Sequence, residues 1–171
     1  MRCVCAVILF MVCMCGGSEA QSALYASFSA TDASALTPRW EYGATPGFYH
    51  DHWKTGWAHA GFDLRMPLLG SGTTKLQSAL AGPRLRLDGV GHGFKPYGEV
   101  LIGASHVTSI DTRAAIHGNH LQYEFLVGVD RNVSPRVDWR LAEISWGRIM
   151  HTGHSPFAST TLSSGLVLRF P

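Results

Sequence analysis

The stretch that decides the fold is Leu121 to Asp130, LQYEFLVGVD. Leu121, Tyr123, Phe125, Val127 and Val129 fall on one side of an extended chain, and Gln122, Glu124, Leu126, Gly128 and Asp130 on the other. A period of two is that of a β-strand, and here one face is wholly apolar while the other carries charge.

The same alternation spreads outward from this segment. Before it, Lys95 to Ser105 sets Gly98, Val100, Ile102 and Ala104 against Tyr97, Glu99, Leu101 and Gly103. After it, Val137 to Trp146 begins with Val137, Trp139 and Leu141 opposite Asp138 and Arg140, then slips phase so that Ile144 and Trp146 continue the apolar face, which predicts a bulge near Ala142-Glu143. Further out lie Leu24 to Ser29, a weaker strand Trp40 to Phe48, Trp57 to Leu68, Leu76 to Leu87 and Leu162 to Phe170. Pro83 removes a ladder donor from its strand, so a bulge is expected there too. The total is eight strands and no helix. Connections alternate in length: about 50–56, 88–93 and 131–136 are turn-like, while 105–119 and 148–158 are longest, so one end carries the larger loops.

An alternating sheet closed into a barrel can put its apolar face inside or outside. Eight strands enclose room only for side chains. The apolar face carries Trp40, Tyr42, Phe48, Phe62, Tyr123, Phe125, Trp139, Trp146 and Phe170, too much bulk for that space. The other face carries glycine, small residues and a near-balanced charge set: Glu41, Asp63, Arg65, Arg84, Arg86, Glu99, Glu124, Asp138, Arg140, Glu143 and Arg169, with no lysine. Charges of opposite sign can neutralise each other in a narrow interior, so the apolar face is assigned to lipid and the charges to the inside. Pairs such as Arg65, Arg84 or Arg140 with Glu99 or Glu124 are expected to plug the lumen. Composition agrees: 46% of residues are hydrophobic and 15% charged, against about 25% charged in ordinary soluble domains. A net charge of +2 gives no field suited to nucleic acid.

Arg2 precedes an apolar run, Cys3 to Cys15, followed by Gly16-Gly17-Ser18-Glu19-Ala20. A spanning helix needs roughly 18 to 20 apolar residues, so residues 1–20 read as an export signal and 21–171 as one barrel domain. All four cysteines, Cys3, Cys5, Cys13 and Cys15, fall within that signal, which excludes disulfides and thiol chemistry from the remainder. The residues before Cys13 and Cys15 make a poor lipidation motif.

The terminal run Ser163-Ser164-Gly165-Leu166-Val167-Leu168-Arg169-Phe170 resembles the assembly signal read by the outer-membrane insertion machinery, with Gly165, Leu168 and Phe170 at its defining positions and Pro171 as a departure. With it, the exported start, the eight amphipathic strands and Lys95-Pro96-Tyr97-Gly98-Glu99 opening a strand, the chain resembles the OmpA-like transmembrane barrel type of small outer-membrane β-barrels. The resemblance implies an eight-stranded antiparallel up-and-down barrel in the bacterial outer membrane, monomeric, with both termini periplasmic and with lipid and the assembly machinery as partners. A peptidoglycan-binding domain after the barrel is not implied.

Chemistry is sparser. His106, His117, His120, His151 and His154 gather in the connections at one mouth, where imidazoles could hold zinc, copper or nickel, but solvated loop histidines explain them as well, and no metal or other cofactor is assigned. Ser105-His106 and His154-Ser155 supply the residue types of a lipid A hydrolase, yet adjacent residues do not form a nucleophile and base, so no catalytic residue is assigned. Asn132-Val133-Ser134 is a chance glycosylation match. Trp40, Trp139 and Trp146 suit an interfacial girdle. The expectation is a structural or surface-interaction barrel, with a soluble lipocalin-like barrel holding a small apolar ligand as the alternative.

Overall fold

The computed structural model describes residues 21–32, 40–71, 74–88, 91, 93–109, 117–150 and 157–170. Residues 1–20, including the expected export signal, and the 33–39, 110–116 and 151–156 connections lie outside them.

Nine strand segments are present: β1 (Gln21–Asp32), β2 (Trp40–Thr55), β3 (Ala58–Arg65), β4 (Leu68–Gly70), β5 (Thr74–Leu87), β6 (Phe94–Ser109), β7 (His117–Ser134), β8 (Val137–Met150) and β9 (Phe157–Phe170). β3 and β4 are two parts of one strand. Both pair with β2 on one side and β5 on the other, and the break falls at Met66-Pro67, where proline has no backbone N–H to give. Eight strands therefore run around the ring, every pairing is antiparallel, and β1 closes it by pairing with both β2 and β9. Closure leaves no unpaired edge, which is the only way a sheet can cross a bilayer.

The strands alternate as the sequence does, with the apolar face outward. Phe28, Tyr42, Phe62, Ile102, Phe125 and Leu166 are all more than half exposed on the outer surface. The inner face is mixed: Arg65, Arg84 and Arg140 are the largest fully buried side chains, and Leu80, Leu101, Leu126 and Ile149 are buried with them. An interior built this way has no room for an apolar ligand, which removes the lipocalin-like alternative.

Several expectations need correction. Every strand runs past at least one of its sequence-derived ends. β2 reaches Thr55 and turns at Gly56-Trp57, with Gly56 at φ 56°, so His50 to Thr55 is strand rather than connection. β6 continues to Ser109 and β7 starts at His117. At these ends histidines take outward places, His50 and His52 in β2 and His106 in β6, so the apolar alternation fades. Pro83 makes no bulge: it pairs with Phe62, and the register from Ala81↔Ile102 to Arg84↔Glu99 passes it without a shift. Its missing donor is tolerated because pairing to β6 is skipped at Gly82 and Pro83. The β8 bulge expected near Ala142-Glu143 is present, with Leu141 the extra residue, since Val129 pairs with Ala142 but Asp130 with Arg140. That extra residue turns both Arg140 and Glu143 inward.

Gln21 and Phe170 sit at the end of the ring that also holds the Gly56-Trp57 and Pro135-Arg136 turns, because Gln21 pairs with Asp51 and Ser22 with Phe170. The three longer undescribed connections are at the opposite end.

Candidate functional site

Among the described residues, chemistry-bearing side chains converge in the barrel interior, which is built in three tiers. Ten of the eleven charges assigned to it from sequence are buried: Glu41, Asp63, Arg65, Arg84, Arg86, Glu99, Glu124, Asp138, Arg140 and Glu143. Arg169 is half-buried.

The central tier is a connected network of three arginines and four carboxylates. Arg65 donates from Nη1 to Glu143 Oε1 (2.9 Å) and from Nη2 to Glu99 Oε2 (2.7 Å). Arg84 pairs with Glu99 Oε1 through Nη1 and with Asp130 Oδ2 through Nη2 (3.3 Å). Arg140 donates from Nε to Asp130 Oδ1 and from Nη1 to Glu143 Oε2, both at 3.1 Å. Each of Glu99, Asp130 and Glu143 is thus shared by two arginines, and the planar guanidinium forks suit that bridging. Asp63 accepts from Tyr25 Oη (2.8 Å) and lies 3.5 Å from Arg65 Nε.

Three buried tyrosines fill the gaps between the ions. The guanidinium carbon of Arg84 is 4.1 Å from the Tyr49 ring centroid, and that of Arg140 is 4.1 Å from Tyr25. Tyr97 Oη donates to Glu143 Oε2 at 2.7 Å. Space for two of these rings comes from glycine: a Cβ on Gly47 would lie 2.2 Å from Tyr25 Cζ, and one on Gly128 2.5 Å from Tyr97 Cζ.

The tier nearest the short turns is also ionic. Arg86 pairs with Asp51 (2.7 Å) and Asp88 (3.2 Å), His59 Nε2 lies 2.7 Å from Asp88, and Asp138 joins Lys95 (3.1 Å) to Arg169 (3.0 Å). The tier toward the loop end is made of hydroxyls: Ser29 bonds Thr45 (2.7 Å) and Ser163 (2.8 Å), Thr31 bonds Thr161 (2.8 Å), and Ser78 donates to Gln122 (2.8 Å). Glu41 belongs to this tier by register, opposite Thr31, and neither of its carboxylate oxygens has a hydrogen-bond partner among the described residues.

Sequence reasoning missed part of the set. Asp51 lay in a supposed connection, Lys95 and Asp130 stood at strand ends, and the inward tyrosines are invisible to a count of charges. Their alternation with Glu99, Arg84 and Asp130 was the available signal. The expected partner Glu124 takes no ion pair among the described residues; Asp130 and Glu143 hold the arginines with Glu99.

The remaining candidates are scattered. His106 is exposed and its Nδ1 lies 2.8 Å from Asn119 Oδ1, while His120 is across the ladder from Ser105. The side chain of His117, and His151 and His154, lie outside the described residues. No cluster of metal-ligating groups is present among the described residues. Ser105 is buried and points inward whereas its neighbour His106 points outward, so the two cannot act as nucleophile and base. Trp40 and Trp139 stand near opposite ends of the barrel. Trp146 does not: it is cross-strand from Phe125, well inside the outer face, and Trp53 and Trp57 at the short-turn end take the girdle place instead.

No family model and no curated protein matches the sequence. Solved structures do. Neisserial surface protein A aligns with a TM-score of 0.60 at 18% identity, covering 90% of this chain and 98% of its own. The N-terminal β-barrel domain of Pseudomonas aeruginosa OprF aligns at 0.53 and 13% identity, covering 89% and 100%. This chain has the fold of the small eight-stranded outer-membrane β-barrels. Another such barrel, the attachment invasion locus protein Ail of Yersinia pestis in complex with the heparin analogue sucrose octasulfate, aligns at 0.52 and 12% identity, covering 88% and 97%. A barrel of this fold set in lipid needs partners for the polar groups it turns inward, and in the two ionic tiers the arginines and carboxylates supply them for one another.

Proposed function

We propose that this outer-membrane barrel is a closed structural or surface-interaction protein, neither a pore nor an enzyme, acting as a monomer with its short turns and described termini toward the periplasm and its longer connections outside. The observation that carries the reading is the central tier. Arg65, Arg84 and Arg140, each 2% exposed or less, cross the lumen at mid-height and are locked by shared carboxylates and by Tyr25, Tyr49 and Tyr97. Moving them aside would separate charges that have left water, and breaking such a pair costs about 3 to 5 kcal/mol. A continuous water path through an eight-stranded ring is therefore closed at rest.

The enzyme reading finds little support among the described residues. There Ser22 Oγ and His50 Nδ1 lie 2.9 Å apart, on the outer face near the short turns, and no described carboxylate orients that ring. Apart from lipid and the assembly machinery, partners are left to the longer connections, as in a surface-interaction protein. Reconstitution into planar bilayers tests the proposal: no sizeable, stable single-channel steps are expected, and such steps would overturn it.

A further inference from the structure

The outer surface is not evenly convex. Along β6, β7 and β8, on the half nearer the short turns, runs an open apolar groove on the outer surface. Its outward-facing lining includes Gly98, Val100, Val127, Val129, Ala142 and Ile144, with Trp146 at its inner end. The depression has a local cause. Gly98 has no side chain to fill the outer face, and a Cβ there would meet only Leu126 O at 3.6 Å. Ala142, on the far side of β7 from Gly98, sits in the β8 bulge and contributes a single methyl.

One cation stands at the mouth of this groove. Arg131 follows Val127 and Val129 on the outward face of β7, two residues nearer the turns, and is exposed. Its guanidinium carbon lies 5.5 Å from the Phe94 ring centroid, and Trp139 is its cross-strand partner on β8. Arg131 has no ion pair among the described residues, whereas Arg65, Arg84, Arg86 and Arg140 are all paired. An exposed guanidinium over one aromatic ring, without an ion pair among the described residues and at the level where strands leave the hydrocarbon, is placed to meet a phosphate.

We propose that this groove is a binding site for one anionic phospholipid of the leaflet facing the short turns, with an acyl chain lying over Gly98 and Ala142 and the headgroup phosphate on Arg131. A second copy of the barrel fits less well. Two convex walls touch along a line and would leave the Gly98 floor empty, and a two-fold contact in the membrane would bring both Arg131 side chains to the same height without a counter-ion.

The experiment uses the refolded full barrel in phosphatidylcholine bilayers containing a small fraction of phosphatidylglycerol brominated on its acyl chains. Quenching of Trp146 is read as the difference between the wild-type protein and Trp146→Phe. Preferential binding is expected to quench Trp146 well beyond the mole fraction of brominated lipid. Gly98→Leu, which fills the floor, is expected to abolish that excess, and Arg131→Gln to weaken it about fivefold, the effect of one basic residue at a charged membrane surface. Heat-shifted migration on gels verifies that each variant is folded; if Gly98→Leu does not fold, Gly98→Val replaces it with the same expectation. Quenching that merely follows mole fraction in all variants overturns the site. So does equal excess with brominated lipid A or phosphatidylcholine, or a cross-linked dimer that Gly98→Leu disperses.

Discussion

The guanidinium carbon of Arg84 lies 3.8 Å from the ring centroid of Tyr97, and from that stacked position it reaches Glu99 and Asp130. One side chain thus joins β5 to β6 and β7 across the lumen. The charge and the flat contact are separable. Arg84→Met keeps bulk but leaves Glu99 and Asp130 each with a single arginine, and a loss of about 3 to 5 kcal/mol is expected. Arg84→Lys restores the charge without the planar fork or the stacking, and should fall between wild type and Arg84→Met. Urea unfolding of the reconstituted barrel, followed by tryptophan emission, measures both. Equal stability of all three proteins would mean that the network does not hold the strands together.

Tyr97 in turn depends on the absence of a side chain. A Cβ on Gly128 would lie 2.5 Å from Tyr97 Cζ, closer than any tolerated contact, and the ring is pinned by Arg84 and by the hydrogen bond to Glu143. Gly128→Ala is expected to destabilise by about 1 to 3 kcal/mol, the cost of overpacking. In a Tyr97→Leu background the same substitution should cost much less, because the clash has gone. Additive effects in that double-mutant cycle would show that the ring is free to move away.

How much of this was legible in the sequence follows from what each face has to satisfy. The outer face must be apolar at every second residue over the whole span, so Leu121 to Val129 or Phe62 to Met66 announce themselves. The inner face must only balance itself, and many residues do that. Glu99 and Arg84 could be placed inside by parity, but their partnership is a consequence of register, set by β5 and β6 pairing Arg84 with Glu99. Arg140 and Glu143, at odd spacing, face the same way only because of the extra residue at Leu141-Ala142, whose phase slip was readable. Tyr49 and Asp51 were lost with the end of β2, where the outer face turns polar at His50 and His52 and the pattern fades.

The outward face gives a depth-dependent prediction. Phe125 is 52% exposed at the middle of β7, and Trp139 is 44% exposed near the short turns. Phe125→Arg puts a charge at mid-membrane and is expected to cost about 2 to 4 kcal/mol, while Trp139→Arg, close to the interface, should add only about 0 to 1 kcal/mol as its charge term. Denaturant titration in lipid vesicles distinguishes them. Similar costs at the two positions would contradict the membrane placement of these strands.

The last strand separates assembly from stability. Phe170 and Leu168 point outward at the seam where β9 meets β1, and Phe170 is 37% exposed, with few neighbours to lose. Gly165 lies at the same seam, but there a Cβ would fall 2.2 Å from Ala26 O, against backbone that cannot move without opening the ring. If the terminal run is the signal its pattern resembles, Phe170→Ala should slow insertion by the assembly machinery while the folded protein keeps its urea midpoint within about 1 kcal/mol of wild type, as for a partly exposed side chain away from the core. Gly165→Ala should do the reverse of a pure signal defect, lowering stability by about 1 to 3 kcal/mol even when the barrel is refolded from urea with no machinery present. The comparison is a pair of measurements on each variant: the rate at which heat-shifted protein accumulates in membranes, and the equilibrium unfolding of refolded material. If Phe170→Ala inserts at the wild-type rate, the terminal run is an ordinary seam strand, and its resemblance to an assembly signal has no mechanical consequence.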